Sequence, residues 1–371
     1  MKIGIFGGAF LPPHNSHVNL LHTAQRQLAL DKVYVVPSGI SPFKGELSIE
    51  KHHRLEMCKR AFDFDNVEIS TFEMDSDGVG YTYLTLQHFK RLHPNDTFYL
   101  ILGADSLKDF HLWKNPQEIC RLATLAVAPR KGVEIESHVE SVQADYLAKV
   151  VLLPTVATAV SSTLVRTSIQ FDVDLYLVDG KVAQYIKENG LFQNYRPYTQ
   201  KLRTMLSENR YLHSLHTTVA GLKLPTKCDK NKVFLACCLH DCAKYIDKSQ
   251  FSYYDFTQGD LPTPVVHAFL GERVAQKEFG IFDREILDAI KYHTTARANM
   301  TELEKVVYVA DKVEATRPYP LEHLWGETFD ETFVNVLKEA HEVCVQSGRI
   351  THPYTQEAIL YYTKRGENNE R

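Results

Sequence analysis

The chain has 371 residues, of which 44% are hydrophobic and 24% charged, and a formal net charge of -4. That length favours two domains with separate cores, in the composition range of ordinary globular proteins. The mildly acidic balance excludes a general nucleic-acid surface, and no apolar run is long enough to span a membrane, so an anionic partner should be small and locally bound.

The first half alternates short β-rich runs with amphipathic segments. The runs are Ile3–Phe6, Val33–Val36, Val67–Ile69, Phe98–Leu102, Thr124–Ala128 and Val151–Leu153; Val18–Leu30, Ile49–Phe62 and Leu84–Leu92 lie between them. Near-continuous apolar strands separated by helices predict an α/β doubly wound parallel sheet, Rossmann-like in layout. The last strand leads through Ser161-Ser162-Thr163 into a helix, and a second helix ends at Asn189-Gly190. Gln193–Pro197 then reads as a linker, placing the domains at 1–194 and 195–371. Beyond it the period is helical almost throughout: Lys201–Ser207, Lys232–Ala243, Val266–Phe279, Arg284–Tyr292, Glu302–Val313 and Thr328–Ser347. The second domain is therefore expected to be all-α, a helical bundle, and Gly366–Arg371 an unstructured polar tail. The seven cysteines form no C-x-x-C pair. They read as small buried side chains in a reducing, cytoplasmic setting, with no secretory leader at the first residues.

The first strand runs directly into Gly7-Gly8-Ala9-Phe10-Leu11-Pro12-Pro13-His14-Asn15-Ser16-His17. A glycine pair before a helix start lets backbone N–H groups approach a phosphate, and the helix dipole favours the anion. Neither a Walker loop nor G-x-G-x-x-G is present, which sets aside a P-loop enzyme and a dehydrogenase. His14 and His17 are three apart and share a helix face, from which imidazoles can donate to phosphate oxygens as charge builds on a leaving pyrophosphate. Ser161, Ser162, Thr163 and Arg166 follow the sixth strand as a second anion grip, and in a doubly wound sheet both open on one edge.

These motifs resemble the H-x-G-H and S-S-T-x-x-R signatures of the nucleotidyltransferase superfamily, with Ser16 where the glycine stands. Residues 1 to about 193, with Tyr81–Leu86 and Gly103–Leu107 leading to Trp113, are similar to bacterial nicotinate-nucleotide adenylyltransferases. The resemblance implies transfer of AMP from ATP, with Mg2+, to nicotinate mononucleotide. It assigns Gly7, Gly8, Phe10 and the Ser161–Arg166 group to ATP and phosphate, and His14, His17 and Arg166 to catalysis. Lys44, Thr85, Asp105 and Trp113 would hold the mononucleotide.

In the second half, His240-Asp241 follows an apolar helical run, where a buried polar pair is costly without a partner. A metal ion is the simplest partner, since imidazole with carboxylate suits iron, manganese and other first-row ions. His213, His267, His293 and Asp311 lie on separate segments and can converge in a bundle core. Lys244, three residues after Asp241, and Arg297 are the candidates to hold a substrate phosphate. The pattern H…HD…H…H…D resembles HD-domain metal phosphohydrolases, most closely the YqeK-type diadenosine tetraphosphate hydrolases, over about residues 197–320. That resemblance implies symmetric cleavage to two ADP at a two-metal centre holding iron, with Asp241 as the bridging ligand. The alternatives are another nucleotide phosphoester as substrate, or a nucleotide-sensing module. Partners should be small molecules, without nucleic acid or membrane, and the chain is compatible with a homo-oligomer.

Overall fold

The computed structural model describes residues 1–39, 49–76, 78–129, 135–154, 160–173 and 176–369. They form two compact units, Met1–Arg166 with Asp174–Phe192, and Thr167–Val173 with Gln193–Arg371.

The first unit is built on six parallel strands: β1 (Lys2–Gly8), β2 (Lys32–Pro37), β3 (Val67–Ile69), β4 (Thr97–Gly103), β5 (Thr124–Ala128) and β6 (Val150–Leu152), in the order β3-β2-β1-β4-β5-β6. All six predicted runs are strands, Val67–Ile69 and Thr124–Ala128 with the same bounds and the other four shifted by a residue or two at their ends. Their apolar continuity follows from burial on both faces: Ile3, Ile5, Leu100, Leu102, Leu125 and Val127 share one core cluster with Leu86, Phe89 and Phe110 from flanking segments. Register aligns Gly8 with Pro37 and Gly103 with Ala128, so these strand ends lie along one carboxyl edge. The order reverses between β1 and β4, the switch point where open α/β sheets gather ligands. Gly39, just past β2, has no room for a side chain; a Cβ there would stand 2.2 Å from the Glu73 carbonyl oxygen.

The second unit is helical. Helices run over Arg196–Met205, Glu208–Lys223, Lys230–Leu239, Thr263–Phe279, Arg284–Tyr292, Glu302–Val313, Phe329–Gln346 and Pro353–Asn369. Their starts carry ordinary capping chemistry: Asp229 accepts from the Asn231 N–H, and Asp283 from the Glu285 N–H. Thr301 with Glu304, and Thr328 with Glu331, form capping boxes. Three expectations are corrected. The linker is shorter than read, because a helix begins at Arg196. The helix before His240 stops at Leu239 instead of running to Ala243. The supposed tail continues a helix as far as Asn369. The segment 167–173 belongs to this unit: Phe171 lies 5.1 Å from the Tyr211 ring and 6.3 Å from that of Phe234, and the buried Tyr211 hydroxyl donates to the Phe171 carbonyl at 2.6 Å. Among the described residues no helix is long and apolar enough to cross a membrane.

Candidate active sites

At the carboxyl edge of the sheet, β1 gives way to the helix Asn15–Leu28, with His14 at its N-cap position. The His14 and His17 rings stack with centroids 3.7 Å apart, and the His14 backbone N–H donates to His17 Nδ1 at 3.2 Å. The shared face expected from their spacing is thus present. The distant Ser-Ser-Thr segment meets this loop directly. Ser162 Oγ donates to the Pro12 carbonyl at 3.1 Å, and Arg166 to the Leu11 carbonyl at 2.7 Å. Ser161 caps its helix by accepting from the Leu164 N–H. Gly8 carries the loop beneath the Phe10 ring, which a Cβ would meet at 3.1 Å. The Phe10 side chain is a buried prop in this loop: its ring packs edge-on to Phe6, Phe62 and His17.

Thr85 is 2% exposed and its hydroxyl donates to the Glu73 carboxylate at 2.6 Å, so this side chain is committed to the interior. Burial raises the Glu73 pKa against the lowering effect of that hydrogen bond. Asp105 is exposed in the first turn of the helix that follows β4, and Trp113 packs half-buried against Phe110, ring centroids 5.4 Å apart. Lys44 lies outside the described residues. Sequence reading passed over Glu73 and Arg54. The Arg54 side chain is almost fully buried and donates to the carbonyls of Ala9 and Ser38, tying together the loops after β1 and β2.

In the second unit the metal-type residues converge. Asp241 divides its two oxygens: Oδ2 lies 3.5 Å from His240 Nε2 and 4.0 Å from His213 Nε2, while Oδ1 lies 3.0 Å from His267 Nε2 and 3.7 Å from His293 Nε2. Asp311 Oδ1 joins the first side, 3.0 Å from His213 Nε2. Two ligand triads result, His213–His240–Asp241 and Asp241–His267–His293, each with its donor atoms within 4.8 Å of one another. An imidazole–carboxylate set of this kind fits first-row divalent ions, and the shared carboxylate fits a bridging position.

Helix ends orient two of the ligands. His240 and His293 each stand just past the last residue of a helix, where terminal carbonyls have no intrahelical partner. His240 Nδ1 is 2.7 Å from the Cys237 carbonyl and His293 Nδ1 is 2.7 Å from the Ile290 carbonyl. A carbonyl only accepts, so each Nδ1 carries the proton and each Nε2 presents a lone pair to the cluster. His213 is oriented by Glu314, whose carboxylate is 3.3 Å from Nδ1. Burial holds His240 neutral, its pKa pushed down to about 3. Burial alone would raise Asp241 and Asp311; the hydrogen bond from His267 to Asp241, and Lys312 with the hydrogen bond from His213 at Asp311, hold both well below the usual carboxylate range.

The cations around the cluster differ from expectation in one case. Lys244 is in place, 3.2 Å from His267 Nε2 and 3.9 Å from Asp241 Oδ1. Arg297 is not, because its guanidinium forks onto the fully buried Glu304 at 2.6 and 3.0 Å. The arginines that reach the cluster are Arg210, 2.9 Å from Asp241 Oδ2, and Arg317, 2.8 Å from Asp311 Oδ1. Arg210 was visible three residues before His213, on the same helical face; Arg317 lies beyond a helix end, where no periodicity points to it.

Residues 5–168 match the Cytidylyltransferase-like family and residues 210–316 the HD domain family. A Clostridium tetani protein named probable nicotinate-nucleotide adenylyltransferase is 36% identical over 198 residues, 52% of this chain and 99% of its own length. The Bacillus subtilis nicotinate-nucleotide adenylyltransferase is 33% identical over 196 residues, covering 52% and 99%. A Mycoplasma genitalium protein named probable nicotinate-nucleotide adenylyltransferase/Ap4A hydrolase spans both halves, 28% identical over 85% of this chain and 88% of its own.

Proposed function

The chain belongs to the nicotinate-nucleotide adenylyltransferase family through its first half and carries an HD domain in its second, and from this premise we propose a bifunctional enzyme. Residues 1–194 transfer AMP from ATP–Mg2+ to nicotinate mononucleotide. Residues 193–371, together with the segment 167–173, hydrolyse diadenosine tetraphosphate to two ADP.

In the transfer, an oxygen of the mononucleotide 5′-phosphate bonds to the α-phosphorus of ATP and the bond to pyrophosphate breaks. Such displacement depends on positioning and charge stabilisation, with no protein nucleophile. His14 and His17 donate to the phosphate oxygens, and Gly7 and Gly8 let the backbone approach them. Ser161, Ser162 and Thr163 complete the grip with Arg166, whose contact with the Leu11 carbonyl supports its place at the same loop. Asp105 and Trp113 face the mononucleotide, and Glu73 fixes the segment around Thr85.

In the hydrolase, His213, His240, Asp241 and Asp311 would hold one ion and Asp241, His267 and His293 a second, with iron as the proposed metal. When bound, these ions supply Lewis-acid charge at the phosphoryl oxygens and acidify water. The chain's residues do the rest: Glu314 and the two carbonyls lock the imidazoles, and Lys244 holds a phosphate oxygen. The observation that carries this reading is the division of Asp241, one oxygen toward each histidine pair. Product analysis on diadenosine tetraphosphate, with iron-loaded protein prepared without air beside Asp241→Ala, tests it. ADP as sole product, lost in the variant, is expected; no product from a chain whose transferase half is active would overturn it.

A further inference from the structure

The two aspartates of the cluster have matching surroundings. Asp241 has Arg210 at 2.9 Å and Lys244 at 3.9 Å; Asp311 has Arg317 at 2.8 Å and Lys312 at 3.4 Å. Next to each cation group stands a tyrosine whose ring is open to solvent while its hydroxyl is tethered. Tyr245, 56% exposed, shares a 3.0 Å hydrogen bond with the Ser207 hydroxyl, at the start of the helix that carries Arg210. Tyr319, 44% exposed, donates to the Lys312 carbonyl at 3.1 Å. Three of the four cations show a solvent side, Arg210 at 31% exposed, Lys244 at 30% and Arg317 at 27%, while Lys312, at 18%, also donates to the His293 carbonyl at 3.0 Å. These four cations face three carboxylates, the third being Glu314 at 3.4 Å from Arg317.

We propose that the cluster takes its substrate in two like arms, Arg210–Lys244–Tyr245 and Arg317–Lys312–Tyr319, each holding one nucleoside diphosphate half of a dinucleoside tetraphosphate. The proposal rests on the hydrolase reading above and explains why cleavage is central. Each pair of phosphates meets an arginine and a lysine, and each base stacks on a ring whose orientation its hydroxyl bond has already fixed. Stacking on an aromatic face is tolerant of base identity, so the arms read purine and pyrimidine ends alike. With the halves so placed, the bond between the two middle phosphates lies over the aspartates. The water oxygen bonds to one central phosphorus, the bond from that phosphorus to the bridging oxygen breaks, and the bridging oxygen leaves on the other phosphorus as part of the second nucleoside diphosphate. The water's proton passes to the solvent.

Two measurements on the full, metal-loaded chain test this. In steady-state hydrolysis of diadenosine tetraphosphate, Tyr245→Leu and Tyr319→Leu should each raise KM about 5- to 100-fold with kcat within about twofold, as loss of base stacking requires. Adenosine tetraphosphate has one base, which either arm can take, so each single variant should leave its KM nearly unchanged while the double variant raises it. Calorimetric titration with ADP, with the nucleotide site of the first unit counted from the Tyr245→Leu/Tyr319→Leu double variant, should give two further ADP per wild-type chain and one further ADP in each single variant, with metal content constant. Unchanged KM for diadenosine tetraphosphate in both single variants overturns the proposal, as does fewer than two ADP per wild-type chain beyond the double variant's count. Two such further ADP bound by a wild-type chain that cleaves nothing would sink the hydrolase reading and leave the arms standing.

Discussion

Arg297 distinguishes a residue that supports the HD fold from one that holds substrate. In the structure its guanidinium is forked onto Glu304, which is 0% exposed and also accepts from the Thr301 N–H at 2.7 Å. Arg297→Ala leaves that carboxylate buried with its capping-box bond alone. Stripping one partner from a buried ion pair costs about 3–5 kcal/mol. The arginine side chain is 32% exposed and the Thr301 bond survives, which reduces the expected loss to about 2–3 kcal/mol. For a unit of about 190 residues this lowers the melting temperature by about 4–12 °C. Arg297→Lys keeps the charge without the fork and should recover about half of the loss. Differential scanning calorimetry of the full chain reads the shift, and hydrolysis measured well below the transition should show a KM for diadenosine tetraphosphate within about twofold of wild type. An unmoved melting temperature with KM raised tenfold or more would refute the structural role and restore Arg297 to the substrate.

Glu314→Ala should weaken metal binding by about 10- to 100-fold, because His213 loses the carboxylate that orients it. Competition against a chromogenic chelator measures this, and an unchanged affinity would count against the orienting contact. Removing the donor His17→Ala should lower transferase kcat by about 10²–10³-fold with a smaller change in KM for nicotinate mononucleotide; coupled pyrophosphate release follows it, and a kcat within twofold would rule out the role. Glu73 has a folded pKa raised by burial, so as pH rises the unfolded chain loses this proton first, and stability present at acid pH is lost between the ordinary carboxylate value and the raised one. Glu73→Gln should therefore gain on wild type as pH rises through that window; urea unfolding followed by Trp113 fluorescence in a Trp325→Phe background checks it, and a pH-independent difference would refute the linkage.

Much of this was legible because the informative signals are local. Buried parallel strands write themselves as short apolar runs, so Val67–Ile69 was recognisable at three residues in length. The metal-type histidines stood out by residue type, and their convergence needed only a helical second half. What escaped depends on where an element ends and on who meets whom. The helix Glu208–Lys223, carrying His213, hides its apolar stripe of Tyr211, Leu215 and Val219 among Ser214, Thr217 and Thr218, which are buried too. The stop at Leu239 frees the carbonyl that His240 uses, and helical periodicity does not mark it. Arg297 and Arg317 carry the same charge in the sequence, and only the buried Glu304 tells them apart.

The segment 167–173 bears on how the chain could ever be divided. The path enters the second unit at Thr167, returns to the first at Asp174 and leaves it again after Phe192. A fragment beginning at residue 195 would therefore be born without Phe171, exposing the rings of Tyr211 and Phe234 and leaving the Tyr211 hydroxyl without its acceptor. One scission cannot yield two whole enzymes. Gene splitting would succeed only if the short piece were duplicated onto the hydrolase fragment, or supplied in trans as a peptide that docks where Phe171 now sits.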